Sequence, residues 1–202
     1  MSLIKLKNNA LDNLTSFEGS ASLGDMVLIS SATASSSASI EFDLGSYKEY
    51  KFFFVNIHPQ NNNVNLTLNF STDNGSNYNV TKTTTFFRAY HLEDNSDAGL
   101  GYVASCDLAQ STGEQFITET LGLSNENDSS LSGELSIFNP SSTTYVKHFM
   151  SKINHTKIGD SMVSINAYMA GYANTTSALT NIIFKMGSGN IDDGKILMFG
   201  LN

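Results

Sequence analysis

The sequence predicts an all-β protein, an antiparallel β-sandwich of jelly-roll-like type with about a dozen strands. Three observations carry that expectation. Apolar and polar residues alternate at a period of two in the clearest segments. Ser, Thr and Asn make up about a third of the 202 residues and cluster between those segments, where turns belong. No segment sustains a helical period over a useful length, the best helical candidate being a short turn near residues 8–14.

Taken in chain order, residues 1–25 read as an N-terminal assembly arm attached to one β-sandwich domain spanning 1–202. The first segment has two lysines but no apolar stretch behind them, and no later run reaches the length of a membrane-spanning helix. Synthesis in the cytoplasm and no membrane partner are therefore expected. Strand-like runs follow at 26–31 and 39–42, and the Ser-rich stretch Ser31-Ala-Thr-Ala-Ser-Ser-Ser-Ala38 between them reads as an edge or a loop. Tyr50-Lys-Phe-Phe-Phe-Val-Asn-Ile57 is apolar at both phases of the alternation, which predicts a central strand covered on both faces. His58-Pro-Gln-Asn-Asn-Asn63 reads as a turn, since Pro59 has no amide to donate and asparagine tolerates left-handed backbone. Val64-Asn-Leu-Thr-Leu-Asn-Phe70 alternates strictly, as a strand with one dry and one wet face does.

Further strands are expected at 78–87, 101–106, 115–119, 131–138, 144–150, 162–171, 179–185 and 195–201. Turn-forming residues dominate 71–77, 93–99, 124–130 and 186–194.

Composition also narrows function. With 11 basic against 19 acidic residues and a net charge of −8, the chain has little to offer a phosphate backbone, so nucleic acid is not an expected partner. The single cysteine, Cys106, allows no intramolecular disulfide. It sits in a strand-like run beside Asp107 with no nucleophile pattern around it, and reads as a small buried hydrophobe.

Several local patterns touch on chemistry without completing it. Gly189-Asn-Ile-Asp-Asp-Gly194-Lys195 has most of a phosphate-loop spacing, but Ile196 replaces the metal-binding hydroxyl and Asp192 and Asp193 repel phosphate; a turn between two strands is the expectation. Asp73-Asn-Gly-Ser-Asn77 and the group Glu93, Asp94 and Asp97 supply oxygens for a hard cation, without an EF-hand spacing. His58, His91, His148 and His155 are not spaced as zinc ligands. No catalytic, cofactor-binding or metal-binding residue is assigned. Eight tyrosines accompany 13 phenylalanines and no tryptophan, so the tyrosines are candidates for core edges and subunit contacts before sugar platforms.

Five stretches carry a family resemblance: Phe54-Val-Asn-Ile-His-Pro, Ser71-Thr-Asp-Asn-Gly-Ser-Asn-Tyr-Asn-Val, Thr85-Phe-Phe-Arg-Ala-Tyr-His, Phe138-Asn-Pro-Ser-Ser-Thr-Thr-Tyr-Val-Lys-His-Phe and Gly171-Tyr-Ala-Asn-Thr-Thr-Ser-Ala. Through them the chain resembles small β-rich virion proteins of tailed bacteriophages of aquatic bacteria, described as tail-fibre or structural components. The resemblance implies location in the virion, assembly with other virion proteins and no catalysis, and it transfers no functional residue. By analogy with phage fibres and decorations, a homotrimer is favoured. A low-charge sandwich without disulfides agrees with this reading, because exposed sheet edges are a hazard unless a neighbouring subunit covers them. The alternative is a host-surface glycan-binding module acting through the loops 58–63, 71–77 or 93–99.

Overall fold

The computed structural model describes residues 26–120, 122–158 and 162–202. The expectations for residues 1–25, the assembly arm and the turn at 8–14, lie outside the described residues. Twelve strands form: β1 (Val27–Thr33), β2 (Ile40–Asp43), β3 (Glu49–Pro59), β4 (Leu66–Ser71), β5 (Lys82–Leu92), β6 (Ala98–Tyr102), β7 (Gln115–Phe116), β8 (Leu131–Phe138), β9 (Lys147–Ile158), β10 (Met162–Ala173), β11 (Asn181–Met186) and β12 (Ile191–Leu201). Each overlaps a run expected to be a strand, β6 only by Gly101 and Tyr102, since Ala98 and Gly99 fall in the expected turn 93–99.

They build two antiparallel sheets, one of eight strands in the order β1-β12-β3-β8-β9-β10-β5-β6 and one of four in the order β2-β11-β4-β7. The protein is an all-β antiparallel sandwich. The chain changes sheet at nearly every connection in its first half, then runs β8, β9 and β10 as neighbours.

Aromatic packing between the sheets explains why the apolar runs pair as they do. Phe184 on β11 meets Phe52 and Phe54 on β3, and Phe42 on β2 meets Phe52, with ring centroids 5.2–5.5 Å apart and edge-to-face angles. That geometry places the positive ring edge on a negative ring face. Phe70 on β4 repeats the contact with Phe149 on β9 at 5.1 Å. Leu66, Leu135, Ile137, Ile153, Ile182 and Ile196 complete one contiguous core.

The structure corrects several local expectations. β3 is central, lying between β12 and β8, yet only one of its faces is sealed by the described residues: Tyr50, Phe52 and Phe54 are buried while Val55 is 43% exposed. Conversely, β4 has no wet face. Thr67, Asn69 and Ser71 are as buried as Leu66, Leu68 and Phe70 between them.

Turn positions shift as well. Pro59 ends β3 instead of opening the turn, which is confined to 60–63. Asp192, Asp193 and Gly194 lie within β12, not in a hairpin turn, and β11 and β12 belong to different sheets. The β12–β3 register shifts on both sides of Asp193, so this turn-like triplet forms a bulge. Gly194 has φ +111°, and a Cβ there would stand 2.6 Å from the Asn56 carbonyl oxygen, so glycine is required. The expected strand at 101–106 ends at Tyr102 and continues as a 3-10 turn at Ala104–Cys106 that carries the chain toward the smaller sheet.

Candidate functional site

The described residues leave the outer face of the eight-stranded sheet open. Its side chains are set by register, since alternate residues on each strand share a face. One row crosses all eight strands: Ser31, Leu197, Phe53, Glu134, Lys152, Tyr168, Phe87 and Tyr102. The next row outward from the bulge runs Leu28, Phe199, Lys51, Ser136, Met150, Ala170 and Thr85.

Ser136, Ala170 and Thr85 are small, so the surface dips along the second row. Two depressions meet at Ala170. One is walled by Phe87, Tyr168, Lys152 and Glu134 and encloses about 420 Å³. The other lies between Phe138, His148 and Tyr172. A third adjoins the first at Glu134 and Lys152 and extends to Phe53, Val55 and Asn166.

The walls are ordered by contacts on the face itself. Phe87 and Tyr168 stack with centroids 4.7 Å apart and planes within 7° of parallel. Lys51 Nζ is 3.4 Å from Glu134 Oε2, and Ser136 Oγ donates to Glu49 Oε1 at 3.0 Å. The Tyr168 hydroxyl accepts from Asn166 Nδ2 at 2.8 Å.

At the end of the sandwich where β3 finishes and β12 begins, a polar cleft gathers His58, Asn56, Asp128, Asp192 and Asp193. His58 Nε2 lies 3.2 Å from the Glu126 carbonyl oxygen, and its Nδ1 is 4.0 Å from Asp192 Oδ2. These residues come from the end of β3, the loop before β8 and the bulge in β12, far apart in the chain, which is why sequence spacing did not join them. No group of three or more His, Cys, Asp or Glu among the described residues is arranged to hold a metal ion.

The other sequence-stated candidates are placed as follows. Asp73 accepts from Ser71 Oγ at 2.7 Å and from Asn77 N and Nδ2 at 2.9 and 2.7 Å. Those bonds, with the Asn77 side chain foremost, lower its pKa to about 2. The carboxylate thus braces its own turn. Tyr90 donates to Asp97 and His91 faces Asn95 Oδ1, so the 93–97 turn is likewise bonded to its hairpin. Cys106 is buried, and burial raises its thiol to about 11. It is not a thiolate at neutral pH.

The loops 60–63 and 71–77 lie at opposite ends of β4, with the loop 93–97 at the same end as the first. They do not form one surface.

The fold also holds a buried polar layer that sequence reading missed. Lys82 is fully buried, and its Nζ donates to Asn69 Oδ1 at 2.6 Å and to the Val80 carbonyl at 2.7 Å; desolvation lowers its pKa to about 8. Thr84 Oγ1 donates to Gln115 Oε1 at 2.6 Å, and Arg88 is paired with the buried Glu119. Lys147 donates to the Thr175 and Ser177 carbonyls at 3.0 and 2.6 Å. The signal for this layer was the polar phase of β4 and β5, which composition alone assigns to solvent.

What fold and face define is a class: an antiparallel β-sandwich whose larger sheet has its outer face and both edge strands left open by the described residues. Compared with protein-family models, with curated proteins and with solved structures, the chain matches none.

Proposed function

We propose that this chain is a non-enzymatic structural protein of a bacteriophage virion, a tail-fibre, appendage or head-decoration component that works by assembling with copies of itself and with other virion proteins, the trimer being the favoured state. The observation that carries the assembly reading is the state of the eight-stranded sheet's edges. Among the described residues no strand pairs with the outer side of β1 or of β6. Both edges carry exposed apolar side chains, Leu28 on one and Leu100 and Tyr102 on the other, the latter pair 75% and 63% exposed.

An open, apolar edge is a template for another chain, and soluble proteins blunt such edges or cover them. β1 of one copy set against β6 of the next is a heterologous contact, which closes into a ring when the rotation between copies allows it. A threefold ring satisfies every such edge. The virion setting rests on the sequence resemblance and on a surface built from neutral polar groups rather than from metal or disulfide staples.

Light scattering on the purified protein tests the assembly, with Leu28→Lys and Leu100→Lys as edge variants. A trimer that each variant dissociates, with the thermal melt of the subunit retained, is the expected result. A monomer at every concentration overturns assembly. Washed phage particles are then expected to contain the chain at a fixed copy number, and its absence from them overturns the virion setting.

A further inference from the structure

We infer that the trough on the outer face of the eight-stranded sheet is a binding site for a neutral oligosaccharide, seated across Phe138, Met150, Ala170, Tyr168 and Phe87. This goes beyond assembly and uses a different surface from the edges β1 and β6.

Geometry sets the size of the occupant. The trough crosses five strands, β3 to β5 through β8, β9 and β10, which at about 4.8 Å per strand is about 19 Å. Its bounding rows, four residues apart on each strand, are about 13 Å apart. Those dimensions suit an extended chain of several sugar rings.

Chemistry selects the class. The Phe87–Tyr168 stack and Phe138 offer aromatic surface, whose negative ring faces attract the weakly positive C–H faces of a pyranose. Charge on the walls cancels: Glu49 and Glu134 stand against Lys51 and Lys152. In a chain of net charge −8 this patch of balanced charge favours neither an anionic nor a cationic ligand. Hydroxyl, carboxylate and ammonium groups around an apolar floor are the few polar contacts that orient a ligand bound mainly by shape.

A peptide strand fits less well. All five strands beneath the trough are paired on both sides, so no backbone donor or acceptor is free to extend a ladder. A second copy of the chain would have to desolvate the Lys51–Glu134 pair at the middle of the contact, at a cost that pairing through the open edges avoids.

The probes are neutral hexasaccharides of glucose, galactose and mannose in α- and β-linked forms, with oligogalacturonate as an anionic control. Binding is read by calorimetry and by the methyl NMR signals of Met150 and Ala170. At least one neutral probe is expected to bind saturably and shift both methyls, Phe87→Ala and Tyr168→Ala each weakening it about tenfold. Ala170→Arg, which fills the dip without touching the stack, is expected to abolish binding while the thermal melt is kept.

Four outcomes overturn the inference: no neutral probe moves either methyl, the anionic control binds as well, the Ala substitutions leave affinity unchanged, or Ala170→Arg changes the oligomeric state and so marks the face as a subunit contact. The edge variants separate this result from the assembly reading. Leu100→Lys that loses the trimer but keeps sugar binding leaves the inference standing, and a trimer that binds no sugar removes the inference alone.

Discussion

The Lys82 ammonium sits 2.6 Å from the Asn69 side-chain oxygen with neither residue more than 4% exposed, and this one bond ties the two sheets through their polar rather than their apolar residues. Asn69 is on β4 of the smaller sheet and Lys82 opens β5 of the larger. Asn69 also donates to the Thr112 carbonyl at 3.1 Å, so its amide spans three segments. Asn69→Leu strands a buried charge and is expected to cost about 3 kcal/mol. Adding Lys82→Met should recover part of that loss, because the pair is then replaced by apolar groups. Urea melts of the two single variants and the double check it; strict additivity refutes the coupling.

The two faces of β3 make a second comparison. Phe52 and Phe54 point into the aromatic cluster around Phe184, whereas Phe53 lies on the outer face against Phe199 at 5.6 Å. Phe52→Ala or Phe54→Ala is expected to cost about 3–5 kcal/mol through lost transfer energy and the cavity left behind. Phe53→Ala should cost about 1 kcal/mol, since its site was never fully removed from water. Equal losses at all three positions would show that another body covers the outer face.

Much of this architecture was legible in the sequence because strands announce themselves by period. All twelve strands were visible at least in part, and the Ser-rich stretch 31–38, expected as an edge or a loop, is the end of the edge strand β1 and the connection after it. What alternation cannot report is which polar phase faces water. Thr67, Asn69 and Thr84 look like a solvated face and are instead buried, since their partners Lys185, Lys82, Thr112 and Gln115 come from later segments. The same limit hid the trough. Phe87, Met150 and Tyr168 are ordinary strand residues until register sets them side by side on a face that the described residues leave open. The Asp192-Asp193-Gly194 triplet misled in the opposite direction, because a bulge and a hairpin turn demand the same residues.

Cys106 and the loop carboxylates give a chemical test of the reading that nothing here needs a metal or a reactive thiol. The thiol is buried with its pKa raised to about 11, so an aromatic disulfide reagent at pH 7.5 should titrate no cysteine until denaturant is added. Asp73 already spends its oxygens on Ser71 and Asn77. A chelator is therefore expected to leave the melting temperature unchanged, and a large fall would assign calcium to one of the acidic loops.

His155 supplies the sharpest dependence on pH. It lies on β9 at zero exposure, and neither ring nitrogen has a hydrogen-bond partner among the described residues. Burial is the main cause that lowers its pKa from 6.5 to about 4; the Thr156 backbone opposes it, and the Arg88 and Lys157 charges add smaller pushes downward. The folded protein holds this ring neutral while the unfolded chain protonates it near 6.5. Between those two values the unfolded state binds more protons, so stability falls as pH drops from about 6.5 through 4 and levels off below that. The full span corresponds to about 3 kcal/mol. His155→Phe keeps the volume apolar and removes the titration, so its urea-melt stability should change less than wild type across that window. If both proteins lose stability in parallel from pH 6.5 to 4, the carboxylates carry the acid dependence and His155 does not.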